Sequence, residues 1–352
     1  MTVKHGGNLL SVAKEYQSEP AQWLDLSTGV SPFAYPLGTP PVSCWNALPQ
    51  EGDGLEQLAM SYYASAVEPL AVAGSQAAIM ALPETLTKVL GRCGTIVFPE
   101  VGYKEHQHAW DSFQLNGQKW KLEFFTDFPS QQQLDSADVV LIINPNNPTG
   151  RYYSPQQLMN LQSKLEEKGG YLIVDEAFAD ATPEYSLLQH DNHSDSLIVL
   201  RSVGKFFGLA GARVGFLFAN DSILGGVRES LGPWTVSGPA RWATKQALAD
   251  SDWQQQNKIR LSKHSQRLKT LLDKYFSQQC RGTELFTTVF IQNAEQVHQQ
   301  LCSQMIYTRL CDEKNAVRFG LPACEAEWMR LEIALMMVCS EQPQEVRLQE
   351  VN

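Results

Sequence analysis

The chain has 352 residues, 43% hydrophobic and 19% charged, the balance of a globular enzyme; it is too long for one small core, so a large domain and a smaller one are expected. A formal charge of −10 and a pI near 5.2 exclude a broadly basic surface for nucleic acid or membrane, while local basic pockets for small anions stay open. Seven scattered cysteines without a C-x-x-C pair favour neither a disulfide framework nor a metal site.

In chain order, the opening "MTVKHGGNLLSVAKEY" carries no apolar signal core, and no run reaches the length of a membrane span. A cytoplasmic protein is expected. Proline crowding in "PPVSCWNALPQEGDG" marks a first crossover between domains. The stretch "GSQAA" (74–78) opens a predicted helix. Short apolar runs bounded by turn signals follow: "TIVF" (95–98), "VVLII" (139–143), "YLIV" (171–174), "LIVL" (197–200) and "VGFLF" (214–218). Runs so uniformly apolar fit strands buried on both faces of a mainly parallel sheet. Between them, "SPQQLMNLQSKLEEKGG" reads as a helix with Ser154 as N-cap, Pro155 at the first helical position and Gly169-Gly170 at its end. Alternating strands and helices predict an α/β domain.

After about residue 235 the pattern changes. Residues 240–276 form one long, mostly helical stretch, followed by "LFTTVFIQ" and "AVRFGL" as strands of a second layer. The expected division is a large domain over 41–235 and a small domain over 236–352, joined by residues 1–40 as an N-terminal arm.

Three local signals sit at strand ends, where ligands collect in α/β sheets. They are "NPNNPTG" (144–150), "VDEAF" (174–178) and "RSVGKFFGLAGARVGF" (201–216). Taken singly, they can also be read as a turn, a capping Asp and a solvated lysine. Taken together, they meet the demands of pyridoxal phosphate: a lysine for its aldehyde, a carboxylate for its ring nitrogen and a cradle for its phosphate. Lys205 is the candidate amine and Asp175 the carboxylate. Asn147 can donate to the phenolic oxygen. Ser202, Arg213 and the backbone around Gly74, Ser75 and Gln76 can hold the phosphate.

The order NPNNPTG, D-E-A-F, S-x-x-K-x-x-G-L-A-G-x-R-x-G resembles fold-type-I, aspartate-aminotransferase-like enzymes, closest to the histidinol-phosphate aminotransferase branch. The resemblance implies a large domain with a mainly parallel, seven-stranded-type sheet plus a smaller α+β domain. It also implies pyridoxal 5′-phosphate as cofactor and a homodimer with active sites at the subunit interface. By residue, it implies Lys205 as the Schiff-base lysine, Asp175 at the pyridinium nitrogen and Asn147 at the phenolic oxygen. Ser202 and Arg213 fall on the phosphate, and Tyr103 in "GYKEH" stacks on the ring.

The stretches 5–16, 23–36, 231–240 and 317–335 resemble the threonine-phosphate decarboxylases of cobalamin biosynthesis. That likeness implies decarboxylation of L-threonine O-3-phosphate to (R)-1-amino-2-propanol O-2-phosphate. It assigns His5, Gly6, Ser27, Thr28 and Gly29 to the substrate phosphate and Arg318 to the α-carboxylate. Arg309 is a second candidate for either anion and reads equally as an exposed charge. Three positions depart from the aminotransferase pattern: Phe178 and Leu48 stand where tyrosines are common, and Gly204 where a hydroxyl residue is usual. The rival activity is an aminotransferase acting on histidinol phosphate or a similar phosphorylated amine. A non-catalytic regulator on the same fold is a third reading, opposed by the intact Lys205, Asp175 and Arg213.

Overall fold

The computed structural model describes residues 5–190, 194–276 and 280–340, so the first four and last twelve residues of the expected small domain lie outside the described residues. The chain divides into two compact units, Met1–Pro32 with Leu261–Asn352, and Phe33–Arg260. The sequence-based boundaries at 40/41 and 235/236 remain a proposal about how the domains are organised.

The larger unit is built on a seven-stranded sheet. Its spatial order is Leu70–Val72, Gly215–Phe218, Leu197–Ser202, Tyr171–Asp175, Val139–Ile143, Thr95–Pro99 and Lys121–Phe125. The five central apolar runs became strands, and Val139–Ile143 is buried at every position. The pairings from Leu197–Ser202 through Lys121–Phe125 are parallel, but Gly215–Phe218 runs antiparallel to both its neighbours. Two strands escaped the sequence pattern, and both are at the edges. Lys121–Phe125 is exposed or half-buried at all but its last residue, and Leu70–Val72 has only three residues to carry a signal.

Helix Pro155–Glu166 starts as its sequence requires. The Ser154 hydroxyl accepts from the Gln157 backbone N–H, and the Gln157 side chain reaches back to the Ser154 N–H. Helix Ser75–Leu90 packs Ile79, Leu82 and Leu86 into the main core with Ile96, Leu141, Ile173 and Leu200 from the sheet. The long stretch after residue 235 is two helices, Gly238–Ala249 and Ser251–Phe276. Asp250 breaks it: its backbone leaves the helical region, and its carboxylate accepts from the Trp253 N–H at 2.9 Å, capping the second helix.

In the smaller unit, an antiparallel sheet runs in the order Arg309–Leu310, Ala316–Gly320, Phe286–Phe290, Cys280–Thr283. A separate two-stranded parallel pair joins Leu24–Asp25 to Ile306–Tyr307. The N-terminal helix Leu9–Glu15 docks beside that pair through Ala13, packed with Trp23, Cys302 and Tyr307. Among the described residues no helix is long and apolar enough to cross a membrane.

Candidate active site

In the larger unit, strand register gathers residues that are far apart in sequence. Asp175 pairs with Ile143 on one side and Leu200 on the other, placing the three motif-bearing turns at the same end of three adjacent central strands. Ser202 pairs with Gly215, and Gly215 with Val72. Ser202, Arg213 and Gly74 therefore leave adjacent strand ends.

Asp175 is buried, and its two oxygens are used differently. Oδ1 accepts from the Ala177 N–H at 3.0 Å, while Oδ2 lies 2.8 Å from Nε2 of His106. An ionised carboxylate only accepts, so the His106 tautomer that fits carries its proton on Nε2. His106 is itself buried, on helix Lys104–Ser112. Sequence reasoning missed it, because nothing local ties a histidine in "KEHQHAW" to a carboxylate 69 residues away. Tyr103, at the N-cap of that helix, donates to Gln76 Oε1 at 3.2 Å, and Gln76 donates to Glu105 at 2.7 Å.

The asparagines of NPNNPTG separate by role. Asn144 is buried, donates to the Tyr153 and Tyr185 carbonyls and accepts from the Tyr153 N–H. Asn146, also buried, holds Val101 and the Thr149 amide and hydroxyl. These two build the turn, and Asn147 stands half-buried on it.

Strand Leu197–Ser202 leads directly into the short helix Val203–Phe206, which carries Lys205 with its Nζ 5.7 Å from the Phe178 ring centre. Gly204 follows from packing, since a Cβ there would lie 2.9 Å from the Ala210 Cα. That contact accounts for the missing hydroxyl residue at this position. Beneath this turn, Arg201 and Glu176 form a buried ion pair at 2.7 Å, with Asp180 at 3.7 Å and the Tyr63 ring 4.3 Å from the guanidinium carbon. Burial pushes both carboxyls up, and Arg201 opposes that rise.

The residues present fit pyridoxal phosphate. Helix Ser75–Leu90 offers its N-terminal amides. Gly74 (φ +72°) has no Cβ, and one built there would lie 2.8 Å from Nη2 of Arg213, so only glycine admits the guanidinium so near the helix start. A cation, a hydroxyl and free-ended amides suit a phosphate; a lysine and a buried carboxylate suit an aldehyde and a ring nitrogen.

The substrate-phosphate candidates and both arginines lie in the smaller unit. Arg318 is buried, with Nη2 donating to the Ser27 carbonyl at 2.8 Å and its guanidinium 5.2 Å from the Phe286 ring centre. Arg309 pairs with Arg318 across the sheet and makes an ion pair with Asp312 at 2.8 Å. Gly7 N–H donates to the Ser27 hydroxyl at 2.7 Å, and Gly6 lies against Ser27; Thr28 is half-buried and Gly29 buried. His5 is exposed.

Residues 49–337 match the family described as Aminotransferase class I and II. The chain is 42% identical over 335 residues to a threonine-phosphate decarboxylase from Pseudomonas aeruginosa, covering 95% of this chain and 97% of that one. It is 35% identical over 339 residues to a threonine-phosphate decarboxylase from a Sinorhizobium species, with the same coverage. Among solved structures, a histidinol-phosphate aminotransferase from Clostridium acetobutylicum matches at TM-score 0.76 and 20% identity, over 90% of this chain and 99% of that one. The L-threonine-O-3-phosphate decarboxylase from Porphyromonas gingivalis matches at 0.73 and 15%, with equal coverage. At those identities the structures establish the fold. Fold and sequence agree, and the chain belongs to the class I and II aminotransferase family, in the branch that holds the threonine-phosphate decarboxylases.

Proposed function

We propose that this protein is a pyridoxal-phosphate-dependent decarboxylase that converts L-threonine O-3-phosphate to (R)-1-amino-2-propanol O-2-phosphate for cobalamin biosynthesis, acting as a cytoplasmic homodimer. The observation that carries this reading is the 42% identity over 95% of the chain to a curated threonine-phosphate decarboxylase. The Lys205–Asp175–Arg213 set, on three strand ends of one sheet, supports it.

Gly74, Ser75, Gln76, Ser202 and Arg213 hold the cofactor phosphate. Asn147 would donate to its phenolic oxygen, Tyr103 would lie against its ring and Lys205 would hold its aldehyde. When bound, pyridoxal phosphate supplies a carbonyl for the substrate amine and a ring that accepts the electron pair left behind by carbon dioxide. Asp175, kept in place by His106 and the Ala177 amide, would accept a hydrogen bond from the ring N–H and favour its charged form. Lys205 Nζ then delivers a proton to the substrate Cα, replacing the lost carboxylate, and regains one from solvent. Arg318, whose planar guanidinium matches a carboxylate, would take the substrate carboxylate and fix its orientation. His5, with the backbone of Gly6, Thr28 and Gly29, takes the substrate phosphate.

The test is cofactor-loaded protein with L-threonine O-3-phosphate and no keto acid, followed by mass spectrometry for carbon dioxide and 1-aminopropan-2-yl phosphate. Sustained turnover is expected, and Lys205→Ala should lower it by at least about a thousandfold. Product appearing only with 2-oxoglutarate and a histidinol-phosphate-like amine would replace this reading with an aminotransferase.

A further inference from the structure

Three stretches distant in sequence lie backbone against backbone in the smaller unit: residues 5–7, 26–28 and 318–320. Glycines sit at their closest approaches. A Cβ on Gly6 would overlap the Ser27 carbonyl oxygen, and one on Gly320 would overlap the Thr28 carbonyl oxygen. The Gly320 N–H donates to the Leu26 carbonyl at 2.7 Å, and the Leu26 N–H to Tyr307 at 2.8 Å, which ties the middle stretch to both sheets.

Ser27 is the centre of this stack and is fully buried. A hydroxyl has one proton to give and lone pairs to receive. The Ser27 hydroxyl gives its proton to Asp25 Oδ1 at 2.6 Å and receives the Gly7 N–H at 2.7 Å. The same Asp25 oxygen takes the Ser27 backbone N–H at 2.9 Å, which fixes the turn between them. On the other side, the Ser27 carbonyl receives Nη2 of Arg318 at 2.8 Å. Asp25 thus orients one residue that touches both the N-terminal segment and the candidate carboxylate-binding arginine.

We propose that Asp25 and Ser27 form a latch that sets the His5–Gly7 segment and Arg318 in one geometry, as positioning residues for substrate binding. Ser27 then acts through its neighbours and not as a phosphate ligand, because its only proton is committed to Asp25. The proposal rests on the substrate roles given above to Arg318 and the 5–7 segment.

Asp25 is exposed, so replacing it leaves no buried cavity. In cofactor-free protein, Asp25→Ala should speed Gly7 amide hydrogen exchange, followed by NMR, by about tenfold. In the loaded enzyme, KM for L-threonine O-3-phosphate should rise about five- to tenfold with kcat within about twofold. Asp25→Asn keeps the Oδ1 acceptor and should restore both values. Unchanged Gly7 exchange in Asp25→Ala overturns the latch. Faster exchange with an unchanged KM overturns its service to substrate. If the unaltered enzyme ignores this substrate, the functional reading has failed, and Gly7 exchange still decides whether the latch exists.

Discussion

His106 is the residue whose chemistry most depends on a partner far along the chain. With both side chains buried, its N–H and the Asp175 carboxylate interact in a medium where a lost charged hydrogen bond is costly, about 1.5–3 kcal/mol. Replacing it by alanine removes the partner of Asp175 Oδ2 and leaves the Ala177 amide on Oδ1, so the carboxylate can turn from the orientation that the proposed cofactor requires. His106→Ala should therefore weaken pyridoxal phosphate binding by about tenfold or more in an absorbance titration. An unchanged dissociation constant would reduce His106 to a packing residue. Gly204 shows the converse case, since its neighbour, the Ala210 backbone, comes from the same short stretch of chain.

Between elements, charge does part of the joining. Arg241, buried on helix Gly238–Ala249, makes two bonds to Glu56 on helix Leu55–Tyr62, at 2.9 and 2.8 Å, and one to Asp53 at 2.6 Å. Lys245 adds a second cation to Asp53 at 2.9 Å. Burial alone pushes the Asp53 carboxyl up, but bonds from Arg241 and Lys245 outweigh it and hold the pKa at about 2. A carboxylate depressed on folding adds stability above its unfolded pKa of about 4, and that contribution is lost as pH falls toward about 2. Asp53→Asn should thus lie below wild type at neutral pH and converge on it between about pH 4 and 2. Thermal melts through that window check the sign; a gap that stays constant with pH would show that Asp53 acts without titrating. The same logic of paired strand ends explains Arg201, whose bridge to Glu176 locks the residues next to Asp175 and Ser202.

At the scale of the whole molecule, the larger unit leaves Val42, Trp45, Leu48 and Trp234 exposed, at 74%, 68%, 57% and 56%. Covering such side chains is favourable by about 25 cal/mol per Å² of apolar surface removed from water. A second copy of the chain, as in the proposed homodimer, would cover these side chains. Trp45→Glu should shift the protein from dimer to monomer in sedimentation velocity at micromolar concentration. A dimer of undiminished stability would move the interface elsewhere.

Much was legible in advance because it is local. Uniformly apolar runs mark strands buried on both faces, a Ser-Pro start and Gly-Gly end mark a helix, and the turns after three strands carry residues whose types suit one cofactor. From these the chain alone determined the α/β class, the central strands and Lys205, Asp175, Asn147, Ser202 and Arg213 as candidates. The edge strands stayed hidden because one is half-exposed and the other very short, and the break at Asp250 because a capping carboxylate looks like any surface acid. Tertiary structure alone decided which distant groups meet: His106 with Asp175, Gly74 under Arg213, Gly7 on Ser27 and Ser27 on Arg318. Side-chain periodicity encodes which face of an element is buried, but the order of strands and the crossings of loops determine what each face meets.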